Sequence, residues 1–267
     1  MKIELSIIIV NYNGQKFFKE CFDSIYEKLK TISFEIIVLD NNSKDNSVSF
    51  IKENFPTVIL IESKINYGFG KGNNEAVKLA KGKHLLLLNN DTILLDDITP
   101  AIQFLKSDNT IGAIGINMLN ANKKYLQAVG RFPNIFNLFW MKLAFNFNKD
   151  FKNGLLSKGF YDVDWITGSF MLIPISVYKE IEGFDEDYFL YVEDVDLCKK
   201  IANKGYKRVF YSKLNYIHFV GFNTSKNNLL IKGYQTFISK HYSGLYNVLC
   251  YGSLYINTVV KKLKNDY

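Results

Sequence analysis

Four apolar runs within the first ninety residues constrain this chain more than anything else in it. They are LSIIIV (5–10), FEIIVLD (34–40), VILIES (58–63) and HLLLLNND (84–91). A strand with one wet face alternates polar and apolar residues. Runs without alternation belong to strands covered on both sides, as in a parallel sheet sandwiched by helices. Helix-like stretches separate them. One runs from about Gln15 to Lys30 with Phe17, Phe18, Cys21, Phe22, Ile25 and Leu29 apolar, and a second ends near Asn54 after a cap at Ser43 or Asp45. A third, NEAVKLA (74–80), stops at Lys81-Gly82. Three strand–helix units and a fourth strand predict an α/β fold with right-handed crossovers.

Parallel sheets bind ligands beyond the carboxyl ends of their strands. The polar clusters fall there: Asn11–Gly14, Asp40–Asn46, Asn66–Asn74 and Asn89–Thr92. Any one of them is also ordinary turn chemistry, but four at one edge predict a site. Gly68, Gly70 and Gly72 lack the G-x-G-x-x-G spacing and follow the third strand, which argues against a nicotinamide dinucleotide.

The second half is less regular. Residues 110–170 show no periodicity that assigns a topology. FMLIP (170–174) reads as a strand and ISVYKEI (175–181) as a helix. Glu193-Asp194-Val195-Asp196 opens a further helix that Gly205 ends. Acids in a first turn complement the helix dipole, and Asp196 is placed to pair with Lys200. The alternative is catalytic: beside Tyr188, Phe189 and Tyr191, Asp194 is desolvated toward useful basicity. Asp91, at the exit of the most apolar strand, is either a turn residue or a ligand for a hard cation. His218 is either a core histidine or a metal ligand.

Composition narrows the function. At 267 residues with 48% hydrophobic and 22% charged, the chain has the make-up of a globular protein. No run reaches the ~20 apolar residues of a membrane span, and the N-terminus has no signal-peptide pattern, so a cytosolic protein is expected. Three scattered cysteines suit neither a disulfide scaffold nor a thiolate metal site. Of the net +7, the segment from Asn223 carries +5: Lys226, Lys232, Lys240, Lys261, Lys262 and Lys264 against Asp266. Only two arginines, Arg131 and Arg208, are present, so base reading is a poor fit and no nucleic-acid partner is expected.

The segments SIIIVNYNG, VLDNNSKDNS, NYGFGKGNNEAVKLAKG, HLLLLNNDT, DWITGSFMLIP, GFDEDYFLYVEDVDLCKKI and a later His-x-x-Gly, in this order, resemble the family-2 inverting glycosyltransferases, above all their rhamnosyltransferase-like branch. The resemblance covers residues ~5–222. It implies a GT-A fold with a mostly parallel central sheet, a nucleotide-binding half (1–100), an acceptor half (101–222), and a basic aromatic helical extension (223–267). It implies that Asn11 and Tyr12 hold and cover a pyrimidine base, with Asp40 accepting its N–H and Asn42 nearby. Asn66, Lys71 and Asn74 would line the ribose and diphosphate.

The family's Asp-x-Asp motif is altered, with Asn89 first, Asn90 between and Asp91 last. Asn89 and Asn90 stay on the nucleotide-sugar side. Asp91 would bind Mn²⁺ or Mg²⁺ with His218 as a further ligand, and an imidazole favours Mn²⁺. Asp194 would be the general base and Glu193 its support, with Trp165 and Gly168 at the sugar or acceptor pocket. The implied partners are a nucleotide-sugar donor, dTDP-rhamnose or a UDP-hexose, and a glycan or polyprenyl-linked acceptor in surface polysaccharide assembly. The Asn89 departure keeps open a non-catalytic nucleotide-sugar binding or scaffolding protein. The lysine- and tyrosine-rich tail is either a packed helix pair or a peripheral membrane contact at the inner face of the cell membrane, and a homodimer stays open.

Overall fold

The strands lie where the apolar runs place them. The computed structural model describes residues 2–219 and 226–263; the boundary expected at 222/223, Gly221 and Lys264 fall outside them. In chain order come β1 (Leu5–Asn11), α1 (Gln15–Lys28), β2 (Phe34–Asp40), α2 (Ser47–Asn54), β3 (Ile59–Glu62), α3 (Phe69–Val77) and β4 (His84–Leu88). Then follow β5 (Thr92–Leu94), α4 (Thr99–Ser107), β6 (Ile111–Leu119), β7 (Tyr125–Leu126), β8 (Val129–Gly130), α5 (Ile135–Phe139), a 3-10 turn (Met141–Ala144), α6 (Lys149–Asn153), β9 (Phe160–Asp162) and β10 (Trp165–Ile166). The chain continues with β11 (Phe170–Pro174), α7 (Ile175–Glu180), α8 (Glu193–Asn203), β12 (Lys207–His218), α9 (Lys226–His241) and α10 (Gly244–Leu263).

One sheet runs through the molecule in the order β3-β2-β1-β4-β11-β6-β12-β5. β1 to β4 are mutually parallel. β11 then enters antiparallel between β4 and β6, and β12 lies parallel to β6. The missing alternation in the apolar runs has a direct cause. Ile7 and Ile9 enter one core with Phe18 and Phe22 of α1, while Ile8 enters the other with Ala76 of α3 and Leu197 of α8. Each buried side chain of this kind stabilises the fold by about 1.5–3 kcal/mol.

Three local expectations are corrected. α3 starts at Phe69, not Asn74, so the glycines lie in its first turn. A Cβ on Gly70 would sit 3.0 Å from Phe184 Cβ, and one on Gly72 would sit 3.0 Å from Val10, so these glycines let the helix lie close to its neighbours. The helix is over before Gly82, whose lack of a side chain serves a close approach to Ser6 instead. Of the two proposed caps for α2, Asp45 accepts the Ser47 amide at 3.1 Å, while Ser43 turns toward Asn11 and Asn13.

The third correction joins distant parts of the chain. Asp196 does not pair with Lys200, whose ammonium donates to the Gly183 carbonyl. Asp196, fully buried, meets His241 Nε2 at 2.7 Å and accepts from Tyr188 OH at 3.2 Å. α9 and α10 pack on the second half of the fold, with Phe237 against Tyr188, Val192 and Val195, and Ile238, Cys250 and Leu254 against Leu138.

Candidate active site

At the carboxyl ends of β1, β2 and β4 the polar clusters close into one hydrogen-bonded unit. Asn11 is fully buried; its amide donates to Asp40 Oδ1 at 2.7 Å and Ser43 Oγ at 3.0 Å, and its carbonyl accepts from Asn90 at 2.6 Å. The Ser43 amide donates to Asp40 Oδ2. The adjacent Gly14 has no room for a Cβ against Asn90 and Asn11. Tyr12, 53% exposed, stands at the rim, and Asn42 (φ 60°) turns its carbonyl to Lys44. Asn41 was not singled out in the sequence, yet it bridges β2 to the α3 entry: its carbonyl accepts from Tyr67 N and its amide donates to Gly68 O.

The β3–α3 residues divide. Asn66 accepts the Gly68 amide at 2.8 Å and so shapes the turn before α3. Lys71 is engaged by Glu186 at 2.8 Å, which raises its pKa. Asn74 shares Glu186 with Lys71 and stands apart from the cavity. It ties α3 to the loop before α8, accepting from Tyr178 OH and Phe184 N and donating to Phe184 O.

Next to this unit a cavity of about 370 Å³ opens between the two halves of the sheet. Asn89, Trp165, Gly168, Glu193, Asp194 and His218 all line it, which gathers residues from four separate segments. His218 Nε2 lies 3.2 Å from Asp91 Oδ1 and 3.2 Å from Asn89 Nδ2. Among the described residues, His218 Nδ1 is buried without a hydrogen-bond partner. Trp165 donates its indole N–H to Arg131 O and meets Phe145 edge-on, leaving the ring as a wall. Tyr191, expected beside Asp194, and Tyr234 of α9 complete the aromatic lining; no local pattern tied Tyr234 to this site.

The two carboxyls at the start of α8 differ in their partners. Asp194 Oδ2 accepts the Gly168 amide at 3.0 Å and Oδ1 accepts the Val195 amide at 2.8 Å. Glu193 is buried, and its Oε2 has no partner among the described residues. Burial, reinforced by the neighbouring Asp194 charge, pushes Glu193 well above the usual carboxylate range. Burial also raises Asp194, opposed by the amides of Gly168 and Val195. Amide donors favour an ionised carboxylate, whereas an unpartnered buried oxygen favours a neutral one. Of the two carboxyls, Asp194 is the one whose partners suit an ionised form.

The pair is aimed by an uncommon turn. Tyr191 (φ 71°) and Val192 (φ 72°) are both left-handed, a conformation that costs a non-glycine residue ~1–3 kcal/mol. Gly233 of α9 presses against them; a Cβ there would lie 2.6 Å from Tyr191 O and 2.8 Å from Val192 Cγ2. Together with the His241–Asp196 contact, α9 holds this turn and the first turn of α8 in place. No local pattern marked His241, because its partner is 45 residues away.

The sheet order and the helices that flank it are those of a GT-A fold. The chain belongs to glycosyltransferase family 2, whose model matches residues 6–181. Over 224 residues it is 29% identical to the rhamnosyltransferase WbbL of Escherichia coli (strain K12), covering 80% of this chain and 82% of that one. It is 20% identical to the N-acetylglucosaminyl-diphospho-decaprenol L-rhamnosyltransferase of Mycobacterium tuberculosis (strain ATCC 25618 / H37Rv), over 72% of this chain and 68% of that one. Among solved structures, the mannosyltransferase PcManGT from Pyrobaculum calidifontis, in complex with GDP-Man and Mn²⁺, superposes with a TM-score of 0.64 at 18% identity, over 98% of this chain and 76% of that one.

Proposed function

We propose that this chain transfers one sugar from a nucleoside diphosphate, dTDP-rhamnose or a UDP-hexose, to an acceptor hydroxyl with inversion. The observation that carries the reading is Asp194, hydrogen-bonded by Gly168 N–H at 3.0 Å inside a cavity that Asn89 and His218 also line. The base would lie between Tyr12 and the Asn11–Asp40 pair, whose fixed geometry suits a pyrimidine edge. Asn89 and Asn90 would face the ribose and diphosphate.

The donors at the end of β4 fit a divalent cation in kind. Asp91 offers a carboxylate and His218 an imidazole nitrogen only 3.2 Å away, with the Asn89 amide alongside. Among the described residues no cluster of three His, Cys, Asp or Glu side chains converges. A cation held here would thus take further oxygens from the donor diphosphate, as Mg²⁺ and Mn²⁺ commonly do. When bound it supplies Lewis-acid stabilisation of the leaving diphosphate.

The chain's own groups do the rest. Trp165 and Tyr191 present flat apolar surface to a sugar ring. Asp194 takes the acceptor proton as the oxygen bonds to the anomeric carbon and the carbon–diphosphate bond breaks on the opposite side. Protonated Glu193 leaves that carboxylate as the single anion near the acceptor. A polyprenyl-linked glycan as acceptor is supported by the decaprenol-linked substrate in the mycobacterial relative's name and would bring the enzyme to the inner face of a membrane.

The test is a panel of dTDP-, UDP- and GDP-sugars with Mn²⁺ or Mg²⁺, read by mass shift of the acceptor and by the anomeric configuration of the product. Transfer with inversion, with a metal requirement raised in His218→Ala, is expected. A folded protein that binds donors yet neither hydrolyses nor transfers any of them would return the chain to the non-catalytic reading that Asn89 allows.

A further inference from the structure

One face of α9 serves both the cavity and its supports. Leu230, Gly233, Tyr234, Phe237 and His241 recur along it at helical spacing. Gly233 meets the left-handed turn at Tyr191 and Val192, Phe237 is fully buried in a cluster with Tyr188 and Val195, and His241 reaches Asp196. Leu230 and Tyr234 line the cavity together with Asp194. The side chains that brace the α8 wall and those that enter the cavity therefore stand on one rigid element.

Tyr234 is the member of this row with an uncommitted polar group. Its ring is wedged between two apolar clusters, one holding Leu138, Cys250 and Leu254 and the other Val192, Val195 and Phe237. Packing on both sides fixes where the phenol oxygen sits. Tyrosines with buried rings usually find a partner for the hydroxyl. Tyr188 donates to Asp196, Tyr216 pairs with Ser169, and Tyr242 donates to Pro133 O. The Tyr234 hydroxyl departs from that pattern: among the described residues it has no hydrogen-bond partner, and it belongs to a side chain that lines the cavity. Burial and the nearby Asp194 carboxylate push this phenol up to about 12. It keeps its proton at neutral pH, so it does not compete with Asp194 as a base and serves as a neutral donor and acceptor.

On the transfer reaction proposed above, we propose that Tyr234 is an acceptor-binding residue whose hydroxyl hydrogen-bonds a second hydroxyl of the acceptor saccharide, besides the one that Asp194 deprotonates. The ligand class that follows is a sugar with a free hydroxyl next to the reacting group, not an isolated alcohol. α9 packs on the α8 wall and not on the strand ends of β1, β2 and β4. The contact therefore sets acceptor choice and leaves the nucleotide side alone.

The test compares wild type with Tyr234→Phe, which keeps the ring and removes only the oxygen. UDP- and dTDP-sugars with Mn²⁺ are the donors, and octyl glycosides of glucose, galactose and N-acetylglucosamine the acceptors. The acceptor KM is expected to rise about two- to tenfold, the usual worth of one hydrogen bond between neutral groups, with the loss in KM rather than kcat. Donor affinity by calorimetry and the Tm should hold, because the lost oxygen has no partner in the protein. Monodeoxy versions of the accepted glycoside give a second measurement, on wild type. One of them should show a KM raised by a similar factor, and Tyr234→Phe should no longer distinguish it from the parent glycoside. Equal acceptor KM in the two proteins would overturn the assignment. So would a loss confined to donor affinity, or a fall in Tm large enough to account for the lost activity. Wild type that binds donor but transfers to no glycoside would remove the transfer reaction itself, and this contact with it.

Discussion

The strand-end cluster and the α8 side of the cavity beside it form two walls of the site, built by different means. On the β1–β2–β4 side, Asn11, Asp40, Ser43 and Asn90 satisfy one another, and each follows directly from a buried strand. Rigid strand ends and short turns are enough to fix them. On the α8 side, Glu193 and Asp194 depend on two left-handed non-glycine residues, held by a helix that arrives 40 residues later. The first wall is locally determined and its groups are paired. The second stores strain and leaves a buried carboxyl oxygen unpartnered. Pairing suits a surface that binds a fixed ligand, and raised basicity suits a surface that moves a proton.

Changes on either wall should therefore separate into rate and affinity. Asp194→Asn is expected to lower turnover by about 10²–10⁴-fold while donor binding stays near wild type. Equal loss of both, in single-turnover kinetics beside donor calorimetry, would erase the distinction. On the other wall Asp40→Ala should do the reverse, weakening donor binding by roughly tenfold with saturated turnover little changed, since it removes a hydrogen bond to a charged group. If turnover at saturating donor falls instead, the strand-end cluster has a part in the chemistry.

Removing a support of α8 should give an intermediate effect. His241→Gln replaces the 2.7 Å contact to buried Asp196 and is expected to destabilise the fold by about 1–3 kcal/mol. It should also raise the acceptor KM without altering donor affinity, because only the α8 wall shifts. A change in donor affinity alone would sever the link between α9 and the carboxylate pair.

The smallest effect expected is on pH dependence. Glu193 is an acid whose folded-state pKa lies above its unfolded value. Between those two values the folded state holds the extra proton, so its contribution is favourable at low pH and declines as pH rises through that window. Glu193→Gln should flatten the decline and leave the variant more stable than wild type in mildly alkaline buffer, measured by denaturant unfolding at pH 6 and pH 8. A parallel pH profile for both proteins would show that Glu193 is not held neutral.

Much of the first wall was legible because strand and turn chemistry act over a few residues. Asn11, Asp40 and Asn90 could be picked from their places after apolar runs. The start of α3 was not, since Gly70 and Gly72 look like loop residues until Phe184 and Val10 are seen against them. Residues 110–170 were opaque for a related reason. β7, β8 and β10 are two residues each, too short for any periodicity, and β12 pairs with β6 across two register shifts.

By itself, then, the sequence determined the parallel half of the sheet and the polar edge above it, since unbroken apolar runs have no other soluble home than between two layers of helix. The order of the motifs likewise pointed to the family. Only the tertiary structure decided which groups beyond that edge share a cavity. β11 entering between β4 and β6, His218 reaching Asp91, and α9 bracing Val192 are contacts between residues 41 to more than 100 positions apart. These contacts join residues that far apart because packing two cores on one sheet brings those segments together, and no local preference of the chain encodes that meeting.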